Sequence, residues 1–214
     1  VLSDGYLANS SEPWLFPKAA DLVEIKAPFR TEVEDYLPYE RDVREVREWA
    51  IPGQAGLEHR LGGLEKEDKT GNVSYDAENH ELMVKTRARK VALVAKDYPE
   101  TRLLQGAEKA DLLVLGWGNT KGAIQVAVAQ ALAEGLSVAQ LHLRYINPLP
   151  EDLGAILQRY PHILIPELND GQLVRIIRDH YLVKADVLDK IQGKPFLAEE
   201  ILAQIKKVLK DGNH

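Results

Sequence analysis

Residues 116–122, Gly-Trp-Gly-Asn-Thr-Lys-Gly, carry residue types that could bind an anion. The apolar segment 112–115 precedes them, and from Ile124 onward apolar residues recur at i, i+3, i+4, i+7 and i+8, as on one face of a helix. The run therefore lies where a strand passes into a helix, and helix N–H groups and the helix dipole favour anions there. The sequence predicts an anion site or, alternatively, a tight turn in which glycine only permits close packing.

The spacing of this run excludes two phosphate-binding motifs. It reads G-x-G-x-x-x-G, so its third glycine comes one position later than in the dinucleotide-binding fingerprint. No Gly-Lys-Ser/Thr sequence follows a four-residue gap, which excludes a P-loop.

Other catalytic motifs are absent from the sequence. The six histidines show no metal-ligand spacing, so we predict no metal site, and no G-x-S-x-G elbow provides a serine nucleophile. His59 and His80 are interpreted as structural or solvated, whereas His142 on a predicted strand faces a packed helix or a partner. We therefore predict no catalytic residue in this chain.

The second half of the sequence alternates short apolar strands with amphipathic helices. Strands are predicted at residues 112–115, 138–143, 162–165 and 183–188, and helices at 120–134, 151–159, 171–180 and 198–209. This alternation predicts an α/β fold with a parallel sheet and flanking helices. Ligands of such sheets bind at the edge formed by the loops after the strands. That edge is called the rim, and its candidate binding residues are Gly116, Gly118, Asn119, Thr120, Arg144, Asn147, Glu167 and Asn169, with Asp170 and Lys190 nearby.

The first part of the chain is irregular. Prolines interrupt residues 1–52, so we expect a strap that lies over another surface, with a short helix or two turns over 41–48. Aromatic residues are poor choices for a free tail, and we expect these to pack. They are Trp14, Phe16, Phe29, Tyr36, Tyr39 and Trp49.

Residues 53–105 are predicted to form a connector with one long helix. Asp76 is suited to cap this helix, which extends to about residue 96. Val84, Ala88, Val91 and Ala95 share one of its faces, and Lys85, Arg87, Arg89 and Lys90 crowd the remaining surface. This basic surface is either solvated or docks onto an acidic partner.

Composition restricts the class of protein. The 214 residues carry a net charge of −6, which argues against nucleic acid as a partner. No apolar run reaches the ~20 residues of a membrane span, so no membrane association is predicted. The absence of cysteine excludes an iron–sulfur cluster held by this chain, and a cytoplasmic location is expected. Residues 1–6 read like the end of a strand, so we expect the C-terminal part of a longer polypeptide, or a polypeptide whose N-terminal part was lost.

Several stretches occur in an order that resembles one protein family. They are residues 2–6 (LSDGY), 11–14 (SEPW), 56–60 (GLEHR), 62–65 (GGLE), 71–76 (GNVSYD), 78–80 (ENH), 116–118 (GWG), 141–144 (LHLR), 147–150 (NPLP) and 166–169 (PELN). Together they resemble the C-terminal part of the alpha subunit of 2-oxoacid:ferredoxin oxidoreductases of the 2-oxoglutarate type, also called 2-oxoglutarate synthase. The resemblance covers essentially the whole chain.

This resemblance implies a subunit of an enzyme that oxidatively decarboxylates a 2-oxo acid with thiamine diphosphate. The acyl group passes to coenzyme A and the electrons to ferredoxin. Residues 1–52 would hold the tail of the pyrimidine-binding domain and the strap, and 106–214 a transketolase-C-terminal-like domain. Thiamine diphosphate, magnesium and the iron–sulfur cluster would belong to the assembled hetero-oligomer with its beta subunit. The fragment alone is therefore expected to be inactive.

Two alternatives stay open. The chain could be a non-catalytic assembly module with an idle rim, or the C-terminal domain of a thiamine-dependent dehydrogenase or transketolase. The stretches 58–60 and 166–169 argue against the second alternative. The sequence does not fix the 2-oxo acid: 2-oxoglutarate is implied, and pyruvate and branched-chain 2-oxo acids stay open.

Overall fold

The computed structural model describes residues 8–11, 13–27 and 29–212. The chain divides into two units, Val1–Met83 and Val84–His214. The expectation for residues 1–6, the end of a strand from another domain, lies outside the described residues. The domain boundaries proposed from the sequence stay predictions.

A five-stranded sheet forms the centre of the second unit. Its strands are β1 (Leu103–Gln105), β2 (Leu112–Trp117), β3 (Val138–Leu143), β4 (His162–Glu167) and β5 (Asp186–Asp189). Their order is β1-β3-β2-β4-β5, and all pairs are parallel except β1 with β3 at one edge. Five consecutive residues of β2 are buried, as expected of a parallel strand that is covered on both faces. The predicted α/β fold is confirmed, with an antiparallel edge strand that the sequence analysis missed.

Helices cover both faces of this sheet. They are α2 (Lys121–Ala133), α3 (Leu153–Leu157), α4 (Gln172–Tyr181) and α5 (Ala198–Asp211), whereas α1 (Ala77–Ala92) precedes the sheet in the chain and spans the division between the two units. Apolar residues of α2 and α5 form one core cluster with the sheet, and those of α3 and α4 form the other. None of the helices in the described part of the chain combines the length and the apolar character needed to span a bilayer.

Two predicted elements differ in extent from those observed, and one of the two alternatives for residues 41–48 is confirmed. The helix expected at 151–159 is only α3, because its flanks tighten into turns such as Tyr160 N–H to Leu157 C=O at 3.2 Å. The last strand begins at Asp186 rather than 183, where it comes into register with β4. Residues 41–48 were predicted as a short helix or two turns, and the structure has turn structure there, because the Asp42 carboxylate accepts the backbone N–H groups of residues 44 and 46.

The first unit has little regular structure. Leu57 and Met83 are among its few buried apolar residues. Isolated bridges pair Phe29 with Trp49 and Tyr39 with Lys69. Polar contacts tie its loops together: the guanidinium group of Arg41 lies 2.9 Å from the Asp68 carboxylate, and the buried ammonium group of Lys66 donates to two backbone carbonyls.

Four of the aromatic residues of the first unit, which we expected to pack, are exposed within this chain, and their packing on another surface stays a prediction. Trp14 and Phe16 are 74% and 81% exposed, and Phe29 and Trp49 are also exposed. Tyr36 and Tyr39 are half-buried. The irregular backbone offers no regular opposing face to the exposed rings, which lie in pairs: the Trp14 and Phe16 centroids are 5.0 Å apart, and those of Phe29 and Trp49 are 6.4 Å apart.

The apolar face predicted for the long helix is present, but most of its residues are exposed to solvent. α1 continues as a 3₁₀ turn, Leu93–Asp97, which agrees with the predicted end near residue 96. On this face Val84 and Val91 are exposed and only Ala95 is buried. Packing therefore uses other positions of α1, notably Met83 and Thr86.

Candidate functional site

The rim lies at a change in the direction of the strand order. β3 and β4 flank the central strand β2 on opposite sides. The loop after β2 leads to α2 on one face of the sheet, and the loop after β4 leads to α4 on the other face. The two loops therefore diverge at the carboxyl ends of β2 and β4, which is the position where open α/β sheets bind ligands.

The glycine-rich run is built for close packing. An added Cβ atom at Gly116 would overlap the Cδ1 atom of the buried Ile124 of α2, so Ile124 would have to shift to admit a side chain at this position. Gly118 has a φ of +58°, which favours glycine. The buried Thr120 hydroxyl donates to the Trp117 carbonyl at 2.7 Å and accepts the N–H of the same residue. These groups hold the turn itself.

Glu167, the last residue of β4, is completely buried. Its two carboxylate oxygens accept the backbone N–H groups of Leu173 and Val174, at 2.8 and 2.9 Å. These N–H groups belong to the first turn of α4, where a helix has no internal acceptors and its dipole favours a negative charge. The candidate binding residue Glu167 therefore caps α4, and its side chain is directed into the protein.

Three further polar candidates are also held by internal bonds. The amide oxygen of Asn169 accepts the N–H of Gln172 at 3.0 Å, at the start of α4. Asp170 pairs with Arg175 on the surface. The ammonium group of Lys190 donates to the Glu200 carboxylate and to the Pro195 carbonyl, which fastens the loop after β5 to α5. The hydrogen bond from Lys190, followed by that from the Leu197 N–H, lowers the pKa of Glu200.

Asn119, Arg144 and Asn147 are the candidates whose side chains lie open at the rim. All three are exposed, and none forms a hydrogen bond or ion pair with another residue in the part of the chain that the structure describes. Asn119 follows β2, whereas Arg144 and Asn147 follow β3. They offer one cation and two amides to a ligand or partner at this edge.

His142 has an unusual environment below the glycine-rich run. It pairs in register with Gly116, and its Nδ1 atom is buried without a hydrogen-bond partner among the described residues. Burial, followed by the charge of Lys121, lowers the pKa of His142, because both disfavour the charged imidazolium. From the sequence we predicted that His142 faces a packed helix or a partner. In the structure it lies on the face of the sheet that α2 covers.

A cleft beside the rim was missed by the sequence analysis. Its volume is about 630 Å³, and its lining includes Ile146, Leu149, Ile176 and Tyr181. No residue-type signal marked it, because these apolar residues come from separate segments. Within the described ranges, no group of His, Asp and Glu side chains is arranged to hold a metal ion.

Comparisons with known proteins identify the relatives of this chain. No family model matches the sequence. It is 43% identical over 210 residues to the 2-oxoglutarate oxidoreductase subunit KorA of Mycobacterium tuberculosis, which includes 98% of this chain and 32% of that protein. It is 29% identical over 220 residues to the alpha subunit of 2-oxoacid:ferredoxin oxidoreductase 2 of Aeropyrum pernix, with 99% and 34% covered.

A solved structure agrees with these relatives. The chain resembles one chain of the 2-oxoglutarate:ferredoxin oxidoreductase from Magnetococcus marinus, determined with 2-oxoglutarate, coenzyme A and succinyl-CoA bound. The TM-score is 0.82 at 30% identity, over 89% of this chain and 34% of that one. The chain thus spans about a third of the length of the relatives it matches. With nearly its full length aligned to such subunits in sequence and fold, it belongs to the alpha-subunit family of the 2-oxoacid:ferredoxin oxidoreductases.

Proposed function

We propose that this chain is part of the alpha subunit of a thiamine-diphosphate-dependent 2-oxoacid:ferredoxin oxidoreductase. The assembled enzyme decarboxylates 2-oxoglutarate, forms an acyl-CoA and reduces ferredoxin in the cytoplasm. This chain contributes structure and subunit interface, and a beta subunit is its partner. The observation that carries the proposal is the 43% identity to a 2-oxoglutarate oxidoreductase subunit over 98% of the chain.

The carboxylate groups at the rim, which are the groups that could coordinate a metal, do not fit a site for magnesium and a diphosphate. At the rim, helix N–H groups occupy both carboxylate oxygens of Glu167, and Arg175 pairs with Asp170. Magnesium requires oxygen ligands that are free to coordinate it. The sequence also has no cysteine to ligate an iron–sulfur cluster. The proposal therefore assigns thiamine diphosphate, magnesium and the cluster to other parts of the assembled enzyme.

The rim contributes to this function through its open side chains. Asn119 and Arg144 are exposed at the carboxyl ends of neighbouring parallel strands. A 2-oxo acid and coenzyme A are both anionic, and a guanidinium group binds carboxylates and phosphates with two parallel hydrogen bonds. We assign Arg144 and Asn119 to anion binding at this edge, with Asn147 beside them.

The activity is tested by following viologen reduction with the assembled enzyme. The assay contains thiamine diphosphate, magnesium and coenzyme A, and compares 2-oxoglutarate, pyruvate and 2-oxoisovalerate. We expect reduction that depends on coenzyme A and is fastest with 2-oxoglutarate. No reduction with any acid, despite an intact beta partner, would contradict the enzymatic proposal.

A non-catalytic assembly module is the second candidate. It is favoured by the internal bonding of Thr120, Glu167, Asn169 and Lys190, which leaves few rim groups free. The two candidates differ in the behaviour of Arg144→Gln in the assembled enzyme. A functional rim predicts a turnover reduced by about 10- to 100-fold with assembly intact, since a hydrogen bond to a charged group contributes about 1.5–3 kcal/mol.

Arg102→Gln is the matched control for this experiment. Arg102 is an exposed arginine of the same unit, paired with Glu100 on the surface. We expect its replacement to leave turnover and assembly unchanged. Equal turnover of the two variants would favour the assembly module.

A further inference from the structure

The first unit contains an open apolar cleft. Its volume is about 600 Å³. The buried Leu57 belongs to its wall, together with the aromatic rings of Phe29 and Trp49 and the side chains of Ile51 and Leu61. Arg47, Glu58 and His59 also line it and add polar groups of both charges.

The backbone around this cleft is fixed by hydrogen bonds. The N–H of Arg30 donates to the Trp49 carbonyl at 2.7 Å, beside the bridge that joins Phe29 to Trp49. The amide of Gln54 donates to the Thr31 carbonyl at 3.0 Å. Gly56 has a φ of +82°, and an added Cβ atom there would lie 2.7 Å from a methyl group of Val33. The cleft is therefore formed before anything enters it.

The apolar walls are nevertheless open to solvent. Trp49 is 55% exposed and Ile51 is 51% exposed, and Leu61 is more exposed still. Contiguous exposed apolar patches on a protein mark interaction sites. Trp is enriched at protein interfaces. Permanent interfaces are also more apolar than transient ones.

We infer that this cleft is an internal interface of the alpha subunit, filled by an apolar segment from the two thirds of the subunit that lie outside this chain. The relatives are about three times as long as the region they share with this chain, so such a subunit has that additional polypeptide. Exposure of this apolar surface to water is unfavourable, so it favours a neighbour that does not dissociate. Polypeptide of the same subunit meets that condition. The inference rests on the proposed function, because it takes the filling segment from an alpha subunit.

Cysteine alkylation in the complete alpha subunit tests this inference. The chain has no cysteine of its own, so Ile51→Cys places one thiol in the cleft and Val43→Cys places one on a loop where Val43 is 95% exposed. Both are treated with iodoacetamide, and the modified peptides are quantified by mass spectrometry. We expect the thiol at position 51 to react at least about tenfold more slowly under native conditions and equally fast in urea. Equal native rates would overturn the inference.

A second pair of variants guards against a perturbing cysteine. Ile51→Asp and Val43→Asp each place a charge at a position that is exposed in this chain. A filled cleft predicts that Ile51→Asp lowers the Tm of the complete subunit by at least about 2 °C, whereas Val43→Asp leaves it unchanged. Equal Tm values would contradict the inference. Neither readout uses turnover, so an inactive enzyme with a protected cleft would refute the proposed activity and leave the interface intact.

Discussion

The two units of this chain bury their apolar residues to very different degrees. In the second unit, the sheet places apolar side chains on both faces and helices cover each face, so that residues such as Leu115 and Ile124 have no exposed surface. In the first unit, large residues such as Leu15 and Phe16 are almost fully exposed. Regular elements cover one another because their side chains repeat on fixed faces. Apolar residues on an irregular chain depend on a surface that comes from elsewhere.

The largest expected effect compares a leucine from each unit in the 214-residue chain. Leu115→Ala empties a fully buried position of β2 and is expected to lower the free energy of unfolding by about 2–5 kcal/mol. Leu15→Ala, at a position 92% exposed, is expected to stay within about 0.5 kcal/mol of the original chain. Urea unfolding followed by circular dichroism measures both. A similar loss of unfolding free energy for Leu15→Ala would contradict the difference between the two units, because it would show that Leu15 is packed against other residues.

Glu167→Gln tests whether a buried charge helps hold the second unit together. The variant keeps the shape of the side chain but replaces one accepting oxygen by an NH₂ group that faces a backbone N–H. We expect a loss of about 1.5–3 kcal/mol in the free energy of unfolding. Glu199→Gln is the control, since Glu199 also lies in the first turn of a helix but is exposed. An unchanged midpoint for Glu167→Gln would show that the cap is dispensable.

Gly116→Ala and Gly122→Ala are expected to change stability in opposite directions. The added methyl group at Gly116 would overlap the buried Ile124, which costs about 1–3 kcal/mol. At Gly122 nothing lies within 4 Å, and alanine is favoured over glycine in a helix by about 0.5–1 kcal/mol. Thermal unfolding of the two variants gives the sign of each effect. A stabilising Gly116→Ala would contradict the close approach of α2 to β2.

The smallest effect concerns the pH dependence of the second unit. Burial, followed by Lys121, lowers the pKa of His142 below its ordinary value of 6.5. The unfolded chain therefore binds more protons at this residue than the folded chain when the pH falls below about 6.5, and stability declines there. Well above that pH the imidazole is neutral in both states, and its contribution is constant.

His142→Asn isolates this contribution. The difference in unfolding free energy between the original chain and the variant is measured from pH 8 downward. We expect a constant difference down to about pH 7.5, followed by a growing relative loss for the original chain as the unfolded imidazole takes up its proton. Parallel curves throughout would show that His142 does not titrate differently in the folded state.

Much of the second unit could be predicted from the sequence. Apolar runs such as residues 112–115 and the helical spacing that starts at Ile124 depend on local patterns that tertiary contacts did not override. β1 was missed because three residues are too few to show an alternation. The last strand was placed early because pairing with β4, rather than local propensity, sets where it begins.

The candidate site was predictable in position but less so in its chemistry. The rim follows from the order of strands and loops, and the sequence located those loops. Whether a polar side chain faces solvent or a helix end depends on the direction in which the next helix leaves. Glu167 and Asn169 both satisfy the N–H groups of α4, whereas Arg144 stays open. Residue type alone does not distinguish these outcomes.

The sequence by itself determined the α/β class, the position of the rim loops and the kinship with the oxidoreductase alpha subunits. These depend on periodicity and on ordered short stretches, which are properties of neighbouring residues. Only the tertiary structure decided that Glu167 is a helix cap, that His142 lies beneath the glycine run and that the Trp49 cleft is open. Those outcomes depend on which distant segments meet, and burial and hydrogen bonding are fixed only when they do.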